Sequence, residues 1–188
     1  MADQDPIIRD GSLYKIIEGH FSWSEAEDYA QKLGGHLVTL NNEEESDFII
    51  DTFTNNTQLV NTQGTNYTHL GIYDDVQGNF YWNDGSDVDW TNWAPGHPYE
   101  QNQLLTTKWA TNDIGIAFQT PWAPEFEGKW ENGTPWPAAS IAEIPILTRG
   151  ESAYAIVEGP SWEEAEANAQ ELGGHLVTIN DEEENNFI

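Results

Sequence analysis

Cysteine is absent from this sequence of 188 residues, which excludes disulfide bonds, zinc–thiolate sites, iron–sulfur clusters and cysteine nucleophiles. Basic residues are scarce: 6 Lys and Arg stand against 33 Asp and Glu, a formal net charge of −27. Nucleic acids are held by clustered cations, and anionic membrane surfaces attract the same residues. The sequence therefore predicts no nucleic-acid partner and favours a small cation.

Long apolar segments are also missing. No run of about 18 apolar residues occurs that could span a bilayer, and the opening MADQDPIIRDG has no basic or apolar region of a signal peptide. Nine Trp, seven Tyr and seven Phe nevertheless indicate a folded chain. Excess surface carboxylate keeps proteins soluble in saline surroundings. We predict no direct membrane insertion and an extracellular or cell-surface location, with any signal outside this sequence.

An internal repeat organises the chain. The segment SWSEAEDYAQKLGGHLVTLNNEEESDFI at 22–49 recurs at 161–188 as SWEEAEANAQELGGHLVTINDEEENNFI, 139 residues later with eight mismatches. The sequence therefore reads as one complete unit and the opening of a second. We divide it into an N-terminal extension (1–11), a complete domain (12–146), and a linker with the truncated second copy (147–188).

Local signals within each copy agree. Ser22 with Glu25 forms a capping box that begins a helix, and Gly34 with Gly35 supplies its stop. HLVTL then predicts a short strand, and Asn41 or Asn42 caps a second helix. The stretch 60–140 is rich in Gly, Asn, Asp, Pro and Trp, which predicts long loops with short strands such as THLGIYD, NFYWND and DIGIAF.

Five segments carry a resemblance to the C-type lectin-like domain family, in family order: SWSEAEDYAQKLGGHLVTL, HLGIYDD, GNFYWNDGSDVDWTNWAPGHP, GKWENGTP and IAEIP. The resemblance implies an α+β fold with two helices, a long loop region and paired terminal strands, around 14–17 and 141–144. The family includes sugar binders, protein binders, ice binders and structural modules, so it does not fix the function.

The resemblance also shows what this chain lacks. The two disulfides of the family would lie at Ala30 with Ala142 and at Ile114 with Pro135, so apolar packing is expected to replace them. The Glu-Pro-Asn or Gln-Pro-Asp triplet of the family's calcium and sugar site is His97-Pro98-Tyr99 here. The candidate ligand-binding residues around that position are His97, Tyr99, Asn112, Asp113, Glu131, Asn132 and Trp122.

A structural calcium of the family implies a second position, at Asn41, Glu43, Asp47 and Glu143. Glu43 and Asp47 lie four residues apart and share one helix face, as a common ion requires. Ca²⁺, which takes six to eight oxygen ligands, is the expected cofactor. Two alternatives stay open: the acidic run at 43–45 only stabilises the helix N-terminus, or an auxiliary calcium lies near Asp74, Asp75 and Asp113.

The sequence contains no catalytic motif of the GxSxG, HExxH or phosphate-loop type. We therefore predict a non-catalytic module for calcium-associated carbohydrate recognition or adhesion on an extracellular surface protein. The alternative is a protein-binding or structural repeat without sugar binding. The aromatic loop residues Tyr99 and Trp122 would stack on a sugar, anchor a protein partner or fill the loop's own small core.

The second copy predicts an uncovered apolar helix face, formed by Trp162, Ala165, Ala169 and Leu172. Such a face is unfavourable in water, so we expect it to pack against the first unit or another chain, or to fray. Because 161–188 repeats 22–49, exchange between protomers would give a domain-swapped dimer through 151–188.

Overall fold

The computed structural model describes residues 6–59, 66–75, 77–99, 114–119, 124–133 and 137–188. Its α-helices are α1 (Trp23–Lys32), α2 (Glu43–Phe53), α3 (Trp162–Glu171) and α4 (Glu182–Phe187). Its strands are β1 (Ile7–Arg9), β2 (Ser12–Phe21), β3 (His36–Leu37), β4 (Asn66–His69), β5 (Ile72–Asp74), β6 (Phe80–Trp82), β7 (Ile114–Gln119), β8 (Lys129–Asn132), β9 (Ala138–Pro145), β10 (Leu147–Arg149) and β11 (Ser152–Tyr154). The predicted α+β class is confirmed.

A four-stranded antiparallel sheet of order β1-β2-β9-β3 joins the two ends of the first unit. Tyr14 lies opposite Glu143, and Ile16 lies opposite Ile141. The predicted pairing of 14–17 with 141–144 is therefore confirmed. Because β9 is hydrogen-bonded to β2 on one side and to β3 on the other, it is the central closing strand of this sheet.

Two smaller sheets carry the loop region. One has the order β4-β7-β8, and the other is the hairpin of β5 and β6. The long loop is tied to β8, since Trp93 forms an isolated bridge with Trp130. The Ala94 amide donates to the Trp130 carbonyl at 2.8 Å, and the Trp130 amide donates to the Asn92 carbonyl at 2.8 Å. These contacts place 97–99 beside the end of β8.

The alternation of side chains along β9 separates two apolar clusters. Ile141 belongs to the larger cluster, beside Ile49 of α2 and Trp130 of β8. Ala142 belongs to the cluster that contains Ala30 of α1. Successive residues of a strand point to opposite faces, so one strand serves both clusters.

The second copy packs against the first unit. Tyr29 donates its hydroxyl to Glu171 of α3 at 2.8 Å, and the Lys32 carbonyl accepts from the Glu158 amide at 3.0 Å. Leu172 contacts the cluster that contains Ala30. Trp162, in contrast, remains 67% exposed. The packing against the first unit therefore covers only part of the predicted apolar face.

Candidate functional site

The first candidate site lies where the long loop meets β8. Asn132, at the end of β8, is buried and accepts the Tyr99 amide through Oδ1 at 2.7 Å. Its Nδ2 donates to the Tyr99 carbonyl at 3.1 Å. One side-chain amide thus satisfies both backbone groups of Tyr99. This pairing fastens the loop directly to the sheet.

His97 completes this attachment. Its Nδ1 accepts the Asn132 backbone amide at 3.2 Å, and its ring centroid lies 4.2 Å from that of Tyr99. The Phe126 ring meets His97 edge-on at 5.6 Å. Burial is the largest effect on the pKa of His97 and lowers it, so the ring is neutral at pH 7. Tyr99 itself is 40% exposed and offers one aromatic face to a ligand.

Glu131 precedes Asn132 in β8 and adds a carboxylate to the candidate residues. Burial raises the pKa of its carboxyl, and no described residue donates a hydrogen bond to it. The remaining predicted residues of this site, Asn112, Asp113 and Trp122, lie outside the described residues.

Calcium requires six to eight oxygen ligands. Among the described residues at the loop, Glu131 has a free carboxylate, but the Asn132 amide oxygen already accepts from Tyr99. The imidazole of His97 stands where the family has a carboxylate or amide oxygen. These described residues therefore do not fit a calcium ion of the sugar-binding type.

The second candidate position is centred on Glu143 of β9. Its Oε1 accepts from Ser12 Oγ at 2.9 Å and from the Tyr14 hydroxyl at 3.2 Å. Its Oε2 accepts from the Thr39 amide at 3.2 Å and from Thr39 Oγ1 at 3.0 Å. A carboxylate has about four acceptor positions, and neutral donors fill them all. A cation here would have to displace at least one of these donors.

The other predicted calcium ligands are only partly brought together. Glu45 lies close enough to Glu143 for their charges to interact, and burial together with Glu143 raises the pKa of Glu45. The Asn41 amide donates to Glu45 Oε2 at 2.7 Å. Glu43 and Asp47 are exposed. The structure thus gathers Glu45, which the sequence analysis did not select, with Asn41 and Glu143.

The described residues contain no group of three or more Asp, Glu or His side chains that could hold a metal ion. Calcium binding at Asn41, Glu43, Asp47 and Glu143 stays a prediction. The sequence does contain a signal for the orientation of the Glu45 side chain. Glu45 is the third residue after the N-cap Asn42, and an acidic side chain at that position commonly reaches back over the start of the helix.

Two acidic residues of the loop region have structural roles. Asp75 accepts from the amides of Gln77 and Asn79 at 2.8 and 2.9 Å, and hydrogen bonds led by those of Asn79 lower its pKa. Asp84 accepts from the amide of Ser86 at 2.8 Å. Both carboxylates therefore organise turns of the backbone.

An exposed aromatic pair was not predicted. Tyr73 and Tyr81 face each other across β5 and β6 with ring centroids 5.7 Å apart, and Trp23 lies 6.4 Å from Tyr73. Alternation along the two short strands could have placed both tyrosines on one face. The sequence gives no indication that the rings would stay exposed.

The sequence model named Lectin C-type domain matches residues 20–114, slightly more than half of the chain. The chain belongs to the C-type lectin domain family. The human C-type lectin domain family 10 member A is 35% identical over 89 residues, which cover 46% of this chain and 25% of that protein. The chain spans between 25% and 56% of the lengths of this and two further relatives.

Two solved structures show the same fold. The cow carbohydrate-recognition domain of CD23, crystallised in the presence of GlcNAc2Man3 oligosaccharide, has a TM-score of 0.57 and 21% identity over 79% of this chain and 98% of that one. The Ca²⁺-independent C-type lectin SPL-2 from Saxidomus purpuratus has a TM-score of 0.56 and 21% identity over 74% of this chain and 90% of that one. At these identities the likeness concerns the fold alone.

Proposed function

We propose that this C-type lectin domain is a non-catalytic recognition module of a secreted or cell-surface protein. Its carbohydrate site lies at the end of β8, with Tyr99 as the aromatic contact and Glu131 as a candidate hydrogen-bond acceptor, and calcium does not bridge the ligand. The observation that carries this proposal is the double hydrogen bond between the Asn132 side chain and the Tyr99 backbone. This bond fixes the loop in the place where family members use a metal ion.

The chemistry of the surface suits a sugar. The exposed ring of Tyr99 offers an apolar face on which a sugar ring can stack. Glu131 supplies a carboxylate that would accept hydrogen bonds from sugar hydroxyls, and its burial, which raises its pKa, shields it from water. A hydrogen bond from a ligand hydroxyl to Glu131 would therefore be stronger than the same bond to a fully hydrated carboxylate.

A glycan array tests the proposal directly. We expect binding to a defined set of glycans with the same pattern in calcium and in EDTA. Tyr99→Ala should lower that binding at least tenfold. Tyr81→Ala is the matched control, because Tyr81 is similarly exposed but lies on the separate hairpin of β5 and β6.

Other results would contradict the proposal in distinct ways. Binding that disappears in EDTA would restore a calcium-bridged sugar site. Loss of binding in Tyr81→Ala but not in Tyr99→Ala would move the site to the aromatic pair of Tyr73 and Tyr81. Uniform silence would favour the alternative, a protein-binding or structural repeat.

None of the described helices is long and apolar enough to cross a bilayer. The proposed location therefore rests on family membership and on the excess of carboxylates, which keeps a chain soluble in saline surroundings. Secretion of the full-length protein, followed by surface labelling of intact cells, would test it.

A further inference from the structure

An open cavity of about 420 Å³ lies between α1 and the β5–β6 hairpin of the first unit. Its lining residues are Trp23, Glu27 and Gln31 of α1, Tyr73 of β5, and Asn83, which follows β6. All five belong to the complete first unit, so the second copy takes no part in the cavity. Its volume falls within the range of small-molecule sites.

Two aromatic rings form one side of this cavity. The ring centroids of Trp23 and Tyr73 are 6.4 Å apart, and the ring planes are inclined at 59°. Both rings are held from outside the cavity: the Trp23 indole donates to the Leu70 carbonyl at 2.7 Å, and Tyr73 stacks on Tyr81 with centroids 5.7 Å apart. Tyr73 is nevertheless 42% exposed. The faces of accessible aromatic rings attract cations through their quadrupole.

Glu27 brings to the cavity a negative charge whose hydrogen-bonding capacity is nearly used. Its side chain is buried. Its Oε1 accepts from Gln31 Nε2 at 2.9 Å and from His36 Nδ1 at 2.6 Å, and its Oε2 accepts from the Leu37 amide at 3.0 Å. Three of about four acceptor positions of the carboxylate are thus filled. A ligand that is attracted by the charge but donates no hydrogen bond suits such a group better than one with many donors.

Asn83 adds one donor that lacks an acceptor. Its Nδ2 is buried and has no hydrogen-bond partner among the described residues, whereas its backbone amide donates to the Gly71 carbonyl at 2.7 Å. An unpaired buried donor is unfavourable, so an acceptor oxygen supplied by a ligand would be stabilising. The five lining residues include one carboxylate and no Lys or Arg, and the whole chain has a formal net charge of −27. These charges favour a cationic ligand.

We propose that this cavity, the Trp23–Tyr73 cavity, binds a small organic cation of the quaternary ammonium class that carries an oxygen acceptor, as choline does. The trimethylammonium group would lie against the two rings and near the Glu27 carboxylate, and the oxygen would accept from Asn83 Nδ2. A quaternary ammonium donates no hydrogen bond, so the nearly filled carboxylate does not disfavour it. A sugar suits the cavity less well, because each of its hydroxyls is a donor that needs an acceptor. The proposal does not depend on the carbohydrate site at Tyr99.

An NMR titration of the intact chain with choline chloride, at an ionic strength held constant with sodium chloride, tests the cavity. We expect saturable shifts of the Trp23 indole N–H and of the side-chain amides of Gln31 and Asn83. Two matched ligands separate charge from shape. The neutral carbon isostere of choline, in which a tert-butyl group replaces the trimethylammonium, should bind at least fivefold more weakly, because it lacks the cation–π attraction. Ethanolamine, which keeps the charge but needs hydrogen-bond acceptors for its ammonium, should also bind at least fivefold more weakly.

Protein variants locate the bound cation. Tyr73→Leu should weaken choline binding at least threefold, whereas Tyr73→Phe, which keeps the aromatic face, should not alter it. Trp23→Leu should weaken binding at least fivefold, and Trp162→Leu, the matched change in the second copy, should have no effect. Tyr99→Ala should also have no effect, which separates this cavity from the proposed carbohydrate site. The three ligands keep the test decisive even if Trp23→Leu disturbs the fold, since they leave the protein unchanged.

Phosphatidylcholine vesicles identify the source of the ammonium group. Co-sedimentation that choline competes away would assign it to a lipid headgroup, and no co-sedimentation would assign it to a free solute; both results support a quaternary ammonium site.

Three results would overturn the proposal. No saturable shift with millimolar choline would show that the cavity takes no such cation. Equal binding of choline and its carbon isostere would show that the cavity is merely apolar. Shifts of the same signals with methyl glycosides, but not with choline, would show that the cavity binds a sugar.

Discussion

Replacing Glu143 tests how the first unit closes its two ends. This carboxylate accepts from Ser12 and Tyr14 of β2 and twice from Thr39, which follows β3. A hydrogen bond to a charged group contributes about 1.5–3 kcal/mol, and a buried donor that loses its acceptor costs about 1–3 kcal/mol. The hydroxyls can turn towards water, but the Thr39 amide is fixed by the backbone.

We therefore expect Glu143→Ala to lower the free energy of unfolding by about 2–4 kcal/mol, because hydrogen bonds to a charged acceptor are lost and the Thr39 amide is left without its acceptor. Glu143→Gln keeps one acceptor oxygen but turns an NH₂ group towards half of the donors. Its expected cost is about 2 kcal/mol. Urea unfolding followed by fluorescence measures both values, because the chain contains nine Trp.

Glu43→Gln is the matched control, since Glu43 is exposed on the same helix end that was predicted to bind calcium. It should cost less than about 1 kcal/mol, the usual contribution of a carboxylate at a helix N-terminus. Unfolding curves in calcium and in EDTA separate the predicted calcium position from a carboxylate held only by neutral donors, since equal curves favour the hydrogen-bonded arrangement. A calcium-dependent gain in stability that both Glu43→Gln and Glu143→Gln abolish would refute this reasoning, as would a cost of Glu143→Ala below about 0.5 kcal/mol.

Three further predictions concern buried and paired positions. Burial lowers the pKa of His69 to about 4. Because an unfolded histidine has a pKa near 6.5, the free energy of unfolding should fall by about 3 kcal/mol as the pH drops from about 6.5 to about 4. His69→Gln should flatten that part of a profile of unfolding free energy against pH. Gly34→Ala places a Cβ 1.5 Å from a backbone oxygen of the second copy, whereas the Cβ of the matched variant Gly173→Ala meets nothing closer than 4.0 Å. Both variants strain a residue with a positive φ. Only Gly34→Ala should increase proteolysis at 155–160. Trp23→Ala should lower the free energy of unfolding, measured in urea, by about 2–4 kcal/mol, because the Trp23 indole donates to the Leu70 carbonyl at 2.7 Å. Trp162→Ala, at an exposed site, should lower it by less than about 1 kcal/mol.

The helix boundaries could be predicted because their signals are local. Ser22 and Glu25 form both hydrogen bonds of the predicted capping box, and Gly34 adopts a φ of +89° just after α1. Asn42 caps α2. Each of these features depends on residues within four positions of one another, so the sequence contains the information.

The pairing of β2 with β9 could not be derived in the same way. Its partners are 117 to 133 residues apart, and it was expected only from the resemblance to a known family. The candidate site shows the same limit. Asn132 was selected as a ligand-binding residue, and the structure adds that its side chain is hydrogen-bonded to the backbone of Tyr99. That role depends on the path of the loop, and no local pattern at 130–132 encodes it.

Apolar packing occupies the position of one missing disulfide. Ala30 and Ala142, where the family resemblance places this disulfide, are both fully buried in one cluster. Closing a loop of about 100 residues with a disulfide is worth about 4.7 kcal/mol in the chain-entropy model. Two buried methyl groups contribute only about 1.6 kcal/mol. Packing at these two positions therefore cannot compensate alone.

Further stabilising contacts come from β9 itself, through its pairing on both sides and the four hydrogen bonds of Glu143. The second copy provides an internal comparison, because it repeats the helix, the hairpin and the hydroxyl donors but has no described strand in the place of β9. Its Ile156 is 87% exposed, whereas Ile16 is 4% exposed. The helix, the hairpin and the hydroxyl side chains therefore recur without a described closing strand, whereas the isoleucine is buried only in the copy in which β9 pairs with β2.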